Sequence, residues 1–329
     1  METSTRRGLL RAASAWASIY ALPTLAQPSS GYPTKPVRFV VPYPPGGASD
    51  VTARLLADKL TESYGQSFLV DNKPGANGIL ALDLVAKAPA DGYTILMGNV
   101  GPNAINAGLY PKLPFDPLKS FTPIMLTTSV PIVLLVNPSL PVHTTQELIA
   151  YAKAHPGAVK FASGGPGSAT HLTAELFKDM AGIDIVHVPY KGDVPAMTDV
   201  IGGHVTMTFA TSIAAASNIS SGRLRVLGTA SKTRPKSLAA YPTIAEAGVS
   251  GFESTSWGGV LAPAGTPPAI IKSLHTHLGR VLAQPDVRDR LGKLGADVVA
   301  GTSEEFGSYL QSEVTKWSAV IKTAGITPE

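Results

Sequence analysis

The segment Val37–Asp50, VRFVVPYPPGGASD, constrains the fold more than any other stretch. Val37, Phe39, Val40 and Val41 form an apolar, β-branched run of the kind that makes a buried strand. Pro44 and Pro45 end it. Gly46 and Gly47 allow a tight turn and a close approach of the backbone to another group. Ser49 or Asp50 is placed to cap a helix carried by Val51, Leu55, Leu56 and Leu60, which Gly65 ends. Such a strand–turn–helix leaves the first helical amides without partners at a partly positive helix end. That favours an anion.

The same device recurs. Lys160–Ala162 reads as a strand, Ser163-Gly164-Gly165-Pro166-Gly167-Ser168 as a glycine-rich turn, and Ser168 as the cap of a helix with Leu172, Leu176, Phe177 and Met180 on one face. Elsewhere strand and helix patterns alternate nearly throughout, which predicts an α/β protein with mainly parallel pairing. Thr145 is placed to cap a helix, and Thr243 to Glu246 has capping-box spacing. Gly98–Pro117 carries few helical signals and reads as a long functional loop. Two amphipathic helices are expected at the end of the chain, around Ile270–Leu282 and Ser303–Ile321.

Length and composition narrow the class. At 329 residues with 44% hydrophobic and 15% charged residues, the chain suits two globular domains rather than disorder. Its first 26 residues have the form of an export signal: Arg6-Arg7, a mostly apolar stretch from Leu9 to Leu25, and Thr24-Leu25-Ala26 before Gln27. The adjacent arginines fit either a general secretory or a twin-arginine signal. Loss of that segment removes three arginines and one glutamate, so the net charge falls from +4 to +2. A charge so small and scattered argues against a nucleic-acid partner. With 0 cysteines, thiol catalysis and thiolate metal sites are excluded. No later segment is long and apolar enough to span a membrane.

Neither glycine-rich turn is a dinucleotide fingerprint or a P-loop. Each could be no more than a tight connection, yet together they offer two half-sites for anionic oxygens. The candidates are Gly46, Gly47, Ala48, Ser49 and Asp50 on the first, and Ser163, Gly164, Gly167, Ser168, Thr170 and His171 on the second. Tyr43 and Trp257 could wall a pocket, although Trp257 is equally suited to a core. Lys191 and Gly192, in a Tyr-Lys-Gly turn, could reach a carboxylate; a solvated lysine is the plainer reading. Ser168 with His171 could form a nucleophile pair, but G-x-S-x-G is missing and the spacing does not aim the ring at the hydroxyl. No histidine set has metal spacing and no carboxylate pair stands out. Anion-binding turns without an evident nucleophile, base, metal or cofactor suggest binding without chemistry.

Seven segments in one order complete the reading: PYPPGGASD (Pro42–Asp50), NKPGANG (Asn72–Gly78), APADGYTILMGN (Ala88–Asn99), GPGSATHLTAELF (Gly165–Phe177), VPYKG (Val188–Gly192), PTIAEAG (Pro242–Gly248) and WGGVLAPAGTP (Trp257–Pro267). Together they closely resemble the Bug family, the extracytoplasmic solute receptors of tripartite tricarboxylate transporters. The resemblance implies a type II-like, two-domain periplasmic binding protein with the ligand cleft between its domains. The expected division is residues 1–26 as signal peptide, 27–130 plus 251–329 as one domain and 131–250 as the other. It implies a small organic carboxylate as ligand and a membrane transporter or a sensor protein as partner. It also implies a monomer without a cofactor and no enzyme activity; a periplasmic serine hydrolase is the alternative from another class. The family's binding loops map onto Tyr43–Asp50 and Ser163–His171. Asp193, where a small residue is frequent, and Ala48-Ser49, where Gly-Thr is frequent, depart from the pattern and bear on ligand choice.

Overall fold

In β1 (Val37–Val41) four of five side chains are fully buried, so the strand is covered on both faces. The computed structural model describes residues 31–327; the export signal expected in residues 1–26 lies outside them. The remaining strands are β2 (Phe68–Asn72), β3 (Thr94–Asn99), β4 (Phe121–Val136), β5 (Val159–Ser163), β6 (Ile185–Pro189), β7 (Met207–Thr211), β8 (Arg225–Thr229), β9 (Thr255–Pro263) and β10 (Asp297–Val298). They join in the order β2-β1-β3-β9-β4-β7-β5-β6, with β8 and β10 also paired to β4. The helices are α1 (Ala48–Tyr64), α2 (Ile79–Ala86), α3 (Asn106–Leu109), α4 (Thr145–Ala154), α5 (Ala169–Ala181), α6 (Asp193–Ile201), α7 (Ser212–Ser220), α8 (Pro268–Ala283), α9 (Pro285–Lys293) and α10 (Ser303–Ala324).

The expected α/β architecture is present, but the pairing is mixed. β1 with β2 and β3, and β5 with β6 and β7, are parallel. The centre is antiparallel, because β9 runs against both β3 and β4, and β4 against β7 and β8. The 16-residue β4 belongs to both halves: Phe121–Pro131 pairs with β9, and Ile132–Val136 with β7 and β8. Alternation along the sequence predicts layers. It does not reveal that two long strands return across the molecule.

Local expectations are also corrected. Gly47, not Ser49 or Asp50, is the N-cap of α1, and no side chain caps it. Thr144 rather than Thr145 caps α4, accepting from the Glu147 amide, while the Thr145 hydroxyl donates to the Leu227 carbonyl. Thr243 and Glu246 do exchange reciprocal hydrogen bonds, but around a turn instead of a helix. Gly98–Pro117 is not an open loop: a π-helical turn at Gly101–Ile105 leads into α3, and most of it is buried. Gly108 there packs so close to Ser318 of α10 that an added Cβ would lie 2.7 Å from the Ser318 Cα. The chain ends on three helices, because Pro285 starts α9 between the two expected.

Trp257 is core, only 1% exposed. Its indole N–H and that of Trp317 both donate to Glu313 Oε2, at 3.0 and 3.1 Å. This buried carboxylate ties α10 to β9. No helix among the described residues is long and apolar enough to cross a membrane.

Candidate functional site

Parallel strands gather ligands at their carboxyl ends, where the following helices begin. Here the chain leaving β1, β5, β6 and β7 turns into α1, α5, α6 and α7, and the four helix N-termini face one cleft. Gly47, Ala48 and Ser49 line it from α1, Ser168, Ala169 and Thr170 from α5, Gly192 to Pro195 from α6, and Thr211 from α7. Tyr43, Pro44 and Pro45 form the wall after β1, while Asn99 and Ser256 come from β3 and β9. The space measures about 510 Å³, including solvent at its mouth, within the range of small-ligand sites.

The first loop is held by a residue outside the cleft. Asp50 is buried; its Oδ2 accepts from the Gly46 amide at 2.9 Å and Arg54 Nε at 3.1 Å. Its Oδ1 accepts from Asn72 Nδ2 at 2.9 Å, and that same amide group donates to the Tyr43 carbonyl at 2.9 Å. Burial opposes its ionisation, but hydrogen bonds from Arg54, the Gly46 amide and Asn72 outweigh it and hold the carboxyl below its ordinary pKa. Tyr43 donates to Asn77 Oδ1 at 2.8 Å, and Asn77 donates to Asn106 at 2.8 Å. Burial, then the nearby charge of Asp193 and the Tyr110 phenol, raise the Tyr43 pKa, so its hydroxyl stays protonated.

The second loop is bonded internally. Ser168 Oγ accepts from the His171 amide at 3.2 Å and contacts Thr170 Oγ1 at 3.1 Å. Thr170 Oγ1 accepts from the Gly164 amide at 2.9 Å. Behind it, His171 Nδ1 accepts from the Gly167 amide at 3.1 Å, and its ring stacks on His187 with centroids 4.2 Å apart. Burial, and secondarily His187, push the His171 pKa down to about 3, so the ring is neutral. Ser163 Oγ bonds to His187 Nε2 at 2.6 Å and accepts from the Gly165 amide. The ring of His171 is thus engaged by Gly167, and its bond to Ser168 is made by the backbone.

Of the residues singled out from sequence, Tyr43, Gly47, Ala48, Ser49, Gly164, Ser168, Thr170 and Gly192 line the cleft. Gly46, Asp50, Ser163, Gly167 and His171 stand behind it as described. Lys191 is exposed and is not part of the lining. Sequence reasoning did not single out Asn99, Thr211 and Ser256. Asn99 Nδ2 reaches the hydroxyls of Ser49 and Ser256 at 3.5 and 3.3 Å and the Trp257 carbonyl at 3.1 Å. A signal existed for Asn99 and Thr211, since each ends a strand on the helix-bearing side. Ser256 became visible only once β9 was known to cross the centre.

The lining holds no lysine, arginine or histidine among the described residues. An anion there meets amides, hydroxyls and helix dipoles instead of a formal positive charge. A small-ligand cleft of this kind, between the halves of a periplasmic-binding fold, belongs to a solute-binding protein. Residues 52–326 match the tripartite tricarboxylate transporter family receptor, and the chain belongs to that family. Protein BugT of Bordetella pertussis is 38% identical over 295 residues, covering 89% of this chain and 90% of that protein. A solved R. palustris protein with adipate is 40% identical with a TM-score of 0.88, over 91% of this chain and 100% of that one. MatC from Rhodopseudomonas palustris, with bound malate, is 32% identical with a TM-score of 0.84, over 88% and 100%.

Proposed function

We propose that this protein is an exported, periplasmic receptor that captures a small organic carboxylate in the cleft and delivers it to a tripartite transporter without changing it. The observation that carries this reading is the convergence of four helix N-termini and six hydroxyl side chains on one unoccluded space. A carboxylate there exchanges water for several preorganised donors, each oriented by the fold. The adipate and malate held by relatives of similar fold support the ligand class. Within this reading, residues 27–130 with 251–329 form one lobe and 131–250 the other. β4 changes partners at the Pro131–Ile132 boundary, which supports a hinge there.

The hydrolase alternative loses its support from geometry, because the His171 imidazole is bonded to Gly167 rather than to Ser168 Oγ. A thermal-shift screen of organic acids tests the proposal. A ligand bound only by the native state raises stability by about 2.7 kcal/mol at a hundredfold excess over Kd. Recovery of the acid unchanged after incubation is expected alongside the shift. Absence of any shift across mono-, di- and tricarboxylates would overturn the proposal.

A further inference from the structure

Among the described residues, Asp193 is the one acidic side chain in the cleft lining. It opens α6, where a negative charge is favoured by the helix end. That alone would make it structural, and its partners support such a role. Oδ2 accepts from the Thr211 amide at 3.3 Å and the Thr211 hydroxyl at 3.0 Å, and Oδ1 from the Thr170 hydroxyl at 3.3 Å. The residue therefore links the starts of α5, α6 and α7.

Two further observations give it a second role. A carboxylate offers about four acceptor positions. Oδ1 carries one donor where Oδ2 carries two, so Oδ1 has capacity for a ligand. Beside it stands Gly164, where an added Cβ would lie 2.9 Å from Oδ1. Any side chain there would crowd that oxygen, and both residues line the cleft. Burial raises the Asp193 pKa against the hydrogen bonds from Thr211 and Thr170, so a ligand donor at Oδ1 favours its ionised form and a second ligand carboxylate beside it does not. A ligand with two carboxylates brings two charges, with no lysine or arginine among the described lining residues to offset them.

Building on the carboxylate-receptor reading, we propose that Asp193 determines the ligand class. The cleft selects organic acids whose other end carries a hydrogen-bond donor, an ammonium or a hydroxyl, over plain dicarboxylates of the same length. One end lies against the amides and hydroxyls of the glycine-rich loops, and the other donates to Asp193 Oδ1.

Calorimetry on the full mature protein tests this with two matched pairs: adipate against 5-aminopentanoate, which replaces one carboxylate by ammonium, and succinate against malate, which adds a hydroxyl. The donor-bearing member of at least one pair should bind tenfold or more tighter to wild type, with neither plain dicarboxylate preferred. In Asp193→Asn the preference should fall below threefold. The wild-type comparison stands even if the variant is poorly folded. Binding of acids without that preference, or a preference unchanged in folded Asp193→Asn, would overturn the assignment of Asp193 and leave the carboxylate receptor intact. No binding by any of the four, together with a blank screen of other organic acids, would overturn both.

Discussion

Single residues in the first loop divide into those that shape the backbone and those that face the cleft. Gly46 has φ +90°, a conformation that L side chains rarely adopt, and its amide is bonded to Asp50. Gly47 has φ −79° and ψ 171°, ordinary extended backbone, and a Cβ there would meet only the Pro44 carbonyl at 4.0 Å. Of the two glycines expected to permit the turn, Gly46 is therefore the one whose conformation requires glycine. Gly46→Ala should cost about 1–3 kcal/mol of stability and weaken ligand binding, while Gly47→Ala should melt within a degree or two of wild type. Paired denaturation curves check this, and equal losses in the two variants would refute it. His171 makes a pH prediction. Its folded pKa of about 3 lies below the ordinary 6.5, so the unfolded chain takes up a proton that the native ring refuses. Its contribution is complete above pH 6.5 and is lost as pH falls towards 3, by no more than about 1.4 kcal/mol per pH unit. His171→Asn should lose less stability than wild type between pH 7 and pH 4.5, measured by urea unfolding at each pH.

At the scale of elements, what was legible depended on how local the signal is. The strand–turn–helix at Val37–Leu60 and the Ser168 cap of α5 are written in adjacent residues, and both form. The starts of α6 and α7 also face the cleft, but Asp193 and Thr211 reach it only because β6 and β7 end on the same side as β1 and β5. That convergence is a property of the sheet order, which the alternation of patterns does not encode. The antiparallel centre was missed for the same reason, since Phe121–Val136 is longer than the apolar run that marks its second half. The helical turn at Gly101–Leu109 was missed because Gly101, Pro102 and Gly108 weaken helix propensity, and tertiary packing against α10 overrides it. α10 is also fixed through Glu313. Replacing it by alanine leaves two buried indole N–H groups without their acceptor, at about 1–3 kcal/mol each. Glu313→Ala should therefore melt well below wild type, and a near-identical melting curve would show that this link is dispensable.

Across the whole molecule, the long β4 and β9 build one continuous sheet that places loops from distant parts of the sequence around a single cleft. The resemblance carried by ordered motifs from Pro42 to Pro267 identified the family and the fold, whereas composition alone reached only a globular α/β protein. The sequence also marked two of the loops that line the cleft. For Asn99 and Thr211 the only signal was their place at strand ends, where a hydroxyl or amide looks alike whether it serves a ligand or a turn, and Ser256 had none until β9 was known to cross the centre. The proposed function requires that the cleft capture a small organic carboxylate and leave it chemically intact. Mass spectrometry of the native protein, freshly purified from the periplasm and then denatured, tests that most directly. The expected result is one small organic acid released per chain, identical to the compound that restores the native mass when added back. Release of a hydrolysed product, or of a bound compound lacking any carboxylate, would contradict it.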